Sequence, residues 1–173
     1  MKLVYQTSIN GTRQKEQAIV KQAAQKAGID LELKSVTASV FFSSDVANPD
    51  TYGKFWADMQ MYTTTMTAPD AERFMDQYKS EEISQKANKW SGRNICRYVN
   101  AEYDKLSVAG SSELDPVKRA AMYIRMNDMV VNDNIVVPLI SRPRVRVASV
   151  NLVTTLSGWD LDFSALQNWY REA

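Results

Sequence analysis

Apolar and polar residues change period several times along this chain, and each change marks an element. Residues 2–7, with Leu3-Val4-Tyr5 at their centre, are strand-like. Asn10-Gly11 marks a turn. From Thr12 to Ala27 the spacing becomes helical, with Ala18, Ile19, Ala23 and Ala27 on one face and Lys, Gln and Arg on the other. Gly28 suits the residue just past a helix end. Ile29 to Lys34 then alternates strictly, the mark of a half-buried strand. Strand, helix and strand make a βαβ unit, whose two strands run parallel with a right-handed crossover.

The middle of the chain is less regular. A short helix is expected near Ser39–Ser44, a turn at Asn48-Pro49-Asp50, and an aromatic cluster at Tyr52–Trp56. Ala57 to Tyr62 alternates again and predicts a third strand, followed by a threonine-rich loop, Thr63 to Thr67. Pro69-Asp70 opens a helix through Phe74 to about Tyr78. Lys79 to Arg97 is polar and loop-like. Asn100 can cap a helix over Ala101–Ala109, with Gly110-Ser111-Ser112 as a linker beyond it. Asp115 is an N-cap and Pro116 fits the first helical position, where no amide partner is lost. The helix so opened has Val117, Ala121, Ile124 and Val131 on one stripe and Met122, Met126 and Met129 beside it, and stops at Asn132-Asp133-Asn134. A buried strand, Ile135 to Ile140, is predicted next. Its Pro138 suits an edge or the end of a ladder. Arg142 to Val147 alternates as a last strand, and the tail from Leu156 to Phe163 is aromatic and turn-rich.

Composition narrows the chemistry. The 173 residues suffice for one domain with a real core. The net charge of +1 gives no global field toward nucleic acid, and three alternating arginines (142, 144 and 146) are too few to indicate it. No apolar run is long enough to span a bilayer. The absence of histidine removes the commonest general base, the Ser/His and Cys/His pairs and most zinc sites. The single Cys96 reads as a small buried residue. Gly11 lacks the lysine and repeated glycines of a phosphate loop. Asp160 and Asp162 fit an edge alternating with the packing aromatics Trp159 and Phe163. Catalytic, metal-binding and cofactor residues are therefore not assigned. Met1-Lys2 runs straight into a strand without a signal-peptide core, so the expectation is either a cytosolic protein or a mature or excised piece.

Several of these signals coincide in order: the opening βαβ, the third strand ending in an aromatic, and Pro69-Asp70 with Phe74. Then come Arg97-Tyr98-Val99-Asn100-Ala101-Glu102-Tyr103-Asp104-Lys105-Leu106, Asp115-Pro116-Val117-Lys118-Arg119 and Val136-Val137-Pro138-Leu139. The set resembles the C-terminal part of the extracellular solute-binding proteins of family 5, the oligopeptide and dipeptide receptors of bacterial ABC importers. The resemblance implies an α/β, periplasmic-binding-protein-like lobe, with a mixed sheet opening in a parallel βαβ unit and flanked by helices. It implies that residues 1–143 are the second ligand-binding lobe and that 144–173 return to a first lobe absent from the chain. It further implies a peptide or small polar ligand, a membrane permease as partner, and a periplasmic or lipid-anchored extracellular location. Family members also bind nickel complexes, sugars and opines.

In such a lobe, ligand sits beyond the carboxyl ends of the strands, so Tyr62 to Met66 should line the cleft. The resemblance places an aromatic at Tyr62 and, three positions on, an aspartate that holds a peptide's amino terminus. Here that position is Thr65. A threonine brings one acceptor and no charge, so an enclosed ammonium is met elsewhere or the ligand has none there. The hydroxyls of Thr63, Thr64, Thr65 and Thr67 suit a polyol, an amide or a carboxylate, or else satisfy local backbone. Trp90 either stacks on ligand or anchors its loop. Arg93 either pairs a ligand carboxylate or bonds Glu81 or Glu82, and Asn94 can hydrogen-bond a ligand backbone. The expected ligand-binding set is Tyr62, Thr64, Thr65, Met66, Trp90, Arg93 and Asn94. Two other classes stay open: a small α/β enzyme using carboxylate, lysine or tyrosine chemistry, and a sensory or protein-interaction relative of the receptor.

Overall fold

A computed structural model describes residues 1–66, 68–143, 145, 147–154 and 165–172. The expectations for Thr67, Arg144, Arg146, Trp159, Asp160, Asp162 and Phe163 lie outside the described residues.

The βαβ unit forms as the sequence predicts. β1 (Lys2–Ser8) pairs in parallel with β2 (Asp30–Val36), Lys2 opposite Asp30 and Ser8 opposite Val36. α1 (Gly11–Lys26) crosses between them. The Asn10 side chain accepts from the Thr12 and Arg13 amides, so the Asn-Gly turn is also the helix cap. β3 is shorter than the alternating run, Met59–Met61, and lies parallel on the other side of β1. The order β2-β1-β3 makes a three-stranded parallel sheet. A separate antiparallel pair joins β4 (Leu152–Val153) to β5 (Tyr170–Arg171).

The inner face of α1 differs from expectation. Ile19 is 66% exposed, and Ala18, Ala23 and Ala27 are also exposed. Val20 and Ala24 pack on the sheet core of Tyr5, Leu31 and Met61. Gln17 is wholly buried because its amide donates to the Tyr5 carbonyl at 2.7 Å. The alanine-rich helix has little apolar contrast between its faces, and this one buried hydrogen bond helps set its rotation.

After α2 (Ala38–Phe41), the rings of Phe41, Phe42 and Tyr52 pack edge-on and tilted against one another and lead to Tyr62. The second core belongs to the helices. α3 (Glu72–Met75) continues into a tight turn, Asp76–Tyr78, while α4 (Ala101–Ser112) and α5 (Pro116–Asn132) form a hairpin. Met75, Tyr78, Tyr98, Tyr103, Tyr123, Met126, Met129 and Val130 are buried together. Asn100 and Asp115 cap α4 and α5 as the sequence predicts. Gly110-Ser111-Ser112 is the last turn of α4 rather than a linker. A Cβ on Gly110 would meet the Tyr123 ring at 3.2 Å, so the glycine lets the hairpin close.

α5 buries the methionine side of its surface, Met126 and Met129, with Tyr123 and Val130. The predicted stripe points outward: Val117, Ile124 and Val131 are 77%, 61% and 40% exposed. Tyrosine and methionine cover more core surface than valine, and close approach at Gly110 favours the Tyr123 side. The predicted strand at Ile135–Ile140 does not form. Ile135 and Val136 pack on the helical core, whereas Val137, Leu139 and Ile140 are exposed and the segment has no ladder partner among the described residues. No strand forms among the described residues of 142–147 either.

Candidate ligand-binding site

Three local devices bring the site residues together at the carboxyl end of β3. The Thr7 hydroxyl donates to the Met61 carbonyl at 2.7 Å, fixing where β3 ends and the Tyr62–Met66 loop begins. α3 is clamped from α5: the Arg119 guanidinium reaches Asp70 at 2.9 Å and Glu72 at 2.7 Å. From α4, the buried Tyr103 hydroxyl donates to the Met75 carbonyl at 2.6 Å.

The third device is the loop from Lys79 to Arg97, organised around Asn94. This residue has no exposed surface. Its amide donates to the carbonyls of Lys79 and Tyr98, each at 2.9 Å, and its oxygen accepts from the Tyr98 amide at 3.1 Å. Its backbone N–H donates to the Glu82 carbonyl at 2.7 Å and its C=O accepts from Ser84 at 3.0 Å. A Cβ on the neighbouring Gly92 would lie 2.3 Å from the Glu82 carbonyl oxygen and 2.6 Å from the Ile83 carbonyl carbon, so only glycine permits this approach. The knot holds Arg93 outward.

A cavity of about 590 Å³ opens between these pieces, lined by Thr64, Thr65, Arg73, Phe74, Gln77 and Arg93. The Arg93 guanidinium donates to the Arg73 carbonyl at 2.8 Å and lies 3.9 Å from an Asp76 carboxylate oxygen. Asp76 is already engaged by Lys79 at 2.7 Å. Glu82 takes the Arg93 backbone N–H at 3.4 Å rather than its guanidinium. No hydrogen bond or ion pair of the Arg73 guanidinium is recorded among the described residues. The lining holds two guanidinium groups and no carboxylate.

The cavity thus gathers three of the seven expected residues: Thr64, Thr65 and Arg93. Tyr62 is half-buried with its ring 5.9 Å from Tyr52, and burial raises its phenol far above the usual range. Met66 is half-buried and outside the lining. Trp90 anchors its loop, with Lys54 6.0 Å and Arg97 5.6 Å from its ring centroid, while Arg97 donates to the Lys54 carbonyl at 2.5 Å. Asn94 serves the loop from the interior. Sequence reasoning missed Arg73, Phe74 and Gln77. The signal was present in the i, i+4 spacing of Arg73 and Gln77 on the helix after Pro69-Asp70.

Burial pushes the Cys96 thiol up despite Arg97 nearby, which suits a packing residue better than a nucleophile. Among the described residues, no group of three or more Cys, Asp or Glu side chains is placed to hold a metal, and no helix is long and apolar enough to cross a membrane.

No family model and no curated protein sequence matches the chain. Solved structures do. OppA from Haemophilus influenzae in complex with RPPGFSPFR aligns over 99% of this chain and 31% of its own, with a TM-score of 0.72 and 20% identity. The oligopeptide-binding protein AppA from Bacillus subtilis, in complex with a nonapeptide, aligns over 99% and 32%, with a TM-score of 0.68 and 19% identity. The oligopeptide binding protein from Thermus thermophilus, complexed with a pentapeptide, aligns over 78% and 23%, with a TM-score of 0.65 and 21% identity. The chain has the periplasmic-binding-protein-like fold of these structures. It spans 23% to 32% of their length. These neighbours are binding proteins rather than enzymes.

Proposed function

We propose that this chain is one lobe of a solute-binding receptor that delivers a peptide or related small polar solute to an ABC permease. Residues 1–143 form the lobe, and 144–173 return toward a first lobe supplied by the rest of the protein. Ligand is enclosed when the two lobes close about a hinge, and the closed form is the one the permease recognises. The receptor works in the periplasm or, lipid-anchored, at the cell exterior.

One observation carries this reading. A polar cavity lies beyond the carboxyl end of a parallel sheet, where open α/β sheets hold ligands, in a chain sharing its fold with peptide-bound receptors three to four times its length. Thr64, Thr65, Arg73, Gln77 and Arg93 supply the ligand contacts from this side, and Tyr62, Met66 and Trp90 support the walls. The test is a native mass spectrum of the complete protein purified without denaturation. The reading expects a non-covalent solute that leaves on unfolding. A ligand-free protein that also takes up no peptide or other small polar solute from a mixed pool contradicts it.

A further inference from the structure

We propose that Arg73 and Arg93 form an anion clamp that makes this receptor select solutes presenting a carboxylate to the cavity of Thr64, Thr65, Phe74 and Gln77. The inference rests on the receptor reading and deepens it by naming the ligand's chemical class. Two cationic side chains meet at one cavity, because Arg93 bonds the backbone carbonyl of Arg73 itself at 2.8 Å. Their charge is only partly met from within. The Arg73 guanidinium has no partner among the described residues, and Arg93 has one long ion pair, 3.9 Å to an Asp76 oxygen, while the other Asp76 oxygen is held by Lys79 at 2.7 Å.

Each guanidinium presents five N–H donors in a plane that matches a carboxylate, and one short bond to a carbonyl leaves most of them available. The remaining polar lining is two threonine hydroxyls, able to donate, and the Gln77 amide, which already donates one N–H to the Phe74 carbonyl at 2.7 Å and keeps the other. A ligand ammonium would meet two like charges and no carboxylate in the lining, a penalty that grows as closure removes water. Thr65 fits the same logic, because a carboxylate there would compete for the clamp. The carboxylate has two possible sources, a peptide's C terminus or an acidic side chain.

The experiment uses the complete receptor, stripped of endogenous solute by unfolding and refolded. It is offered an equimolar pool of tri- to pentapeptides in four forms: Glu or Gln inside the peptide, each with a free or amidated C terminus. Retained peptides are identified by mass spectrometry. Charge-assisted hydrogen bonds predict retention of acid-bearing peptides at about tenfold or more over their neutral counterparts. The enrichment should disappear in the R73Q/R93Q variant and persist in part in R73K/R93K. The Glu and free-acid arms show which carboxylate is gripped. Equal retention of neutral peptides, or enrichment unchanged in R73Q/R93Q, overturns the clamp and leaves the receptor reading standing. A wild-type receptor that retains no peptide and no other solute overturns the receptor reading and the clamp with it.

Discussion

Replacing Asn94 by alanine separates a structural role from a ligand-binding one. The side chain is fully buried and makes three hydrogen bonds, two donated to the Lys79 and Tyr98 carbonyls and one accepted from the Tyr98 amide. Asn94→Ala removes all three bonds, leaving the Tyr98 N–H and C=O unpaired and the Lys79 carbonyl with only the Glu82 N–H at 3.1 Å. At about 1 kcal/mol each, the loss is about 3 kcal/mol. For a chain of this size each kcal/mol lowers the melting temperature by about 2–4 °C, so the variant should melt about 6–12 °C below the parent. Thermal and urea unfolding followed by circular dichroism measure this. Ser91→Ala is the control, because its hydroxyl makes a single exposed bond to the Asn88 carbonyl at 2.6 Å and should cost under about 0.5 kcal/mol. A cost for Asn94→Ala below about 1 kcal/mol, or a loss of ligand affinity at unchanged stability, would refute the assignment of Asn94 to the interior.

Gly92→Ala must displace backbone at Glu82 and Ile83 and should cost about 2–3 kcal/mol with loss of ligand binding; unfolding curves matching the parent would show that the loop gives way freely. Burial raises the phenols of Tyr78, Tyr98 and Tyr123 to about 12. Their neutral forms are favoured in the folded state, so stability is full below the ordinary tyrosine value near 10 and falls as pH rises from about 10 to 12. Urea midpoints that stay flat over that window, or phenol absorbance rising near pH 10 in the folded protein, would disagree. In the proposed receptor ligand is enclosed between two lobes, so the 173-residue chain alone would present half of that site, and calorimetry should find affinity weaker than micromolar, short of the roughly 8 kcal/mol that micromolar binding needs. Tight binding by this chain would argue against a second lobe.

How far the sequence could be read depended on whether a signal was local. The caps Asn10, Asn100 and Asp115 bond amides two and three residues away, so they are visible in a short window. The βαβ unit is visible for the same reason, since strand alternation and helical period are each complete within one segment. The facing of α1 and α5 was not. It turns on Gln17 reaching Tyr5 and on Gly110 accepting the Tyr123 ring, contacts between segments. Ile135–Ile140 has a strand's composition, but a strand exists only where another edge receives its hydrogen bonds, and none of the described residues does so. The site divides the same way. Thr64, Thr65 and Arg93 stand out in loops that the resemblance places at a cleft. Arg73 joins them only through packing of α3 against α4 and α5. Asn94 stood out as a loop amide, and its burial could be known only once its partners at Lys79 and Tyr98 were in place.

The most direct measurement of the central claim is amide hydrogen exchange on the complete protein, with and without the solute it carries. If the chain is one wall of a closing cleft, solute slows exchange in Tyr62–Met66, in Arg73–Gln77 and around Arg93, while the outer faces of α1 and α5 are unchanged. Exchange that slows elsewhere and leaves those three segments untouched contradicts the account.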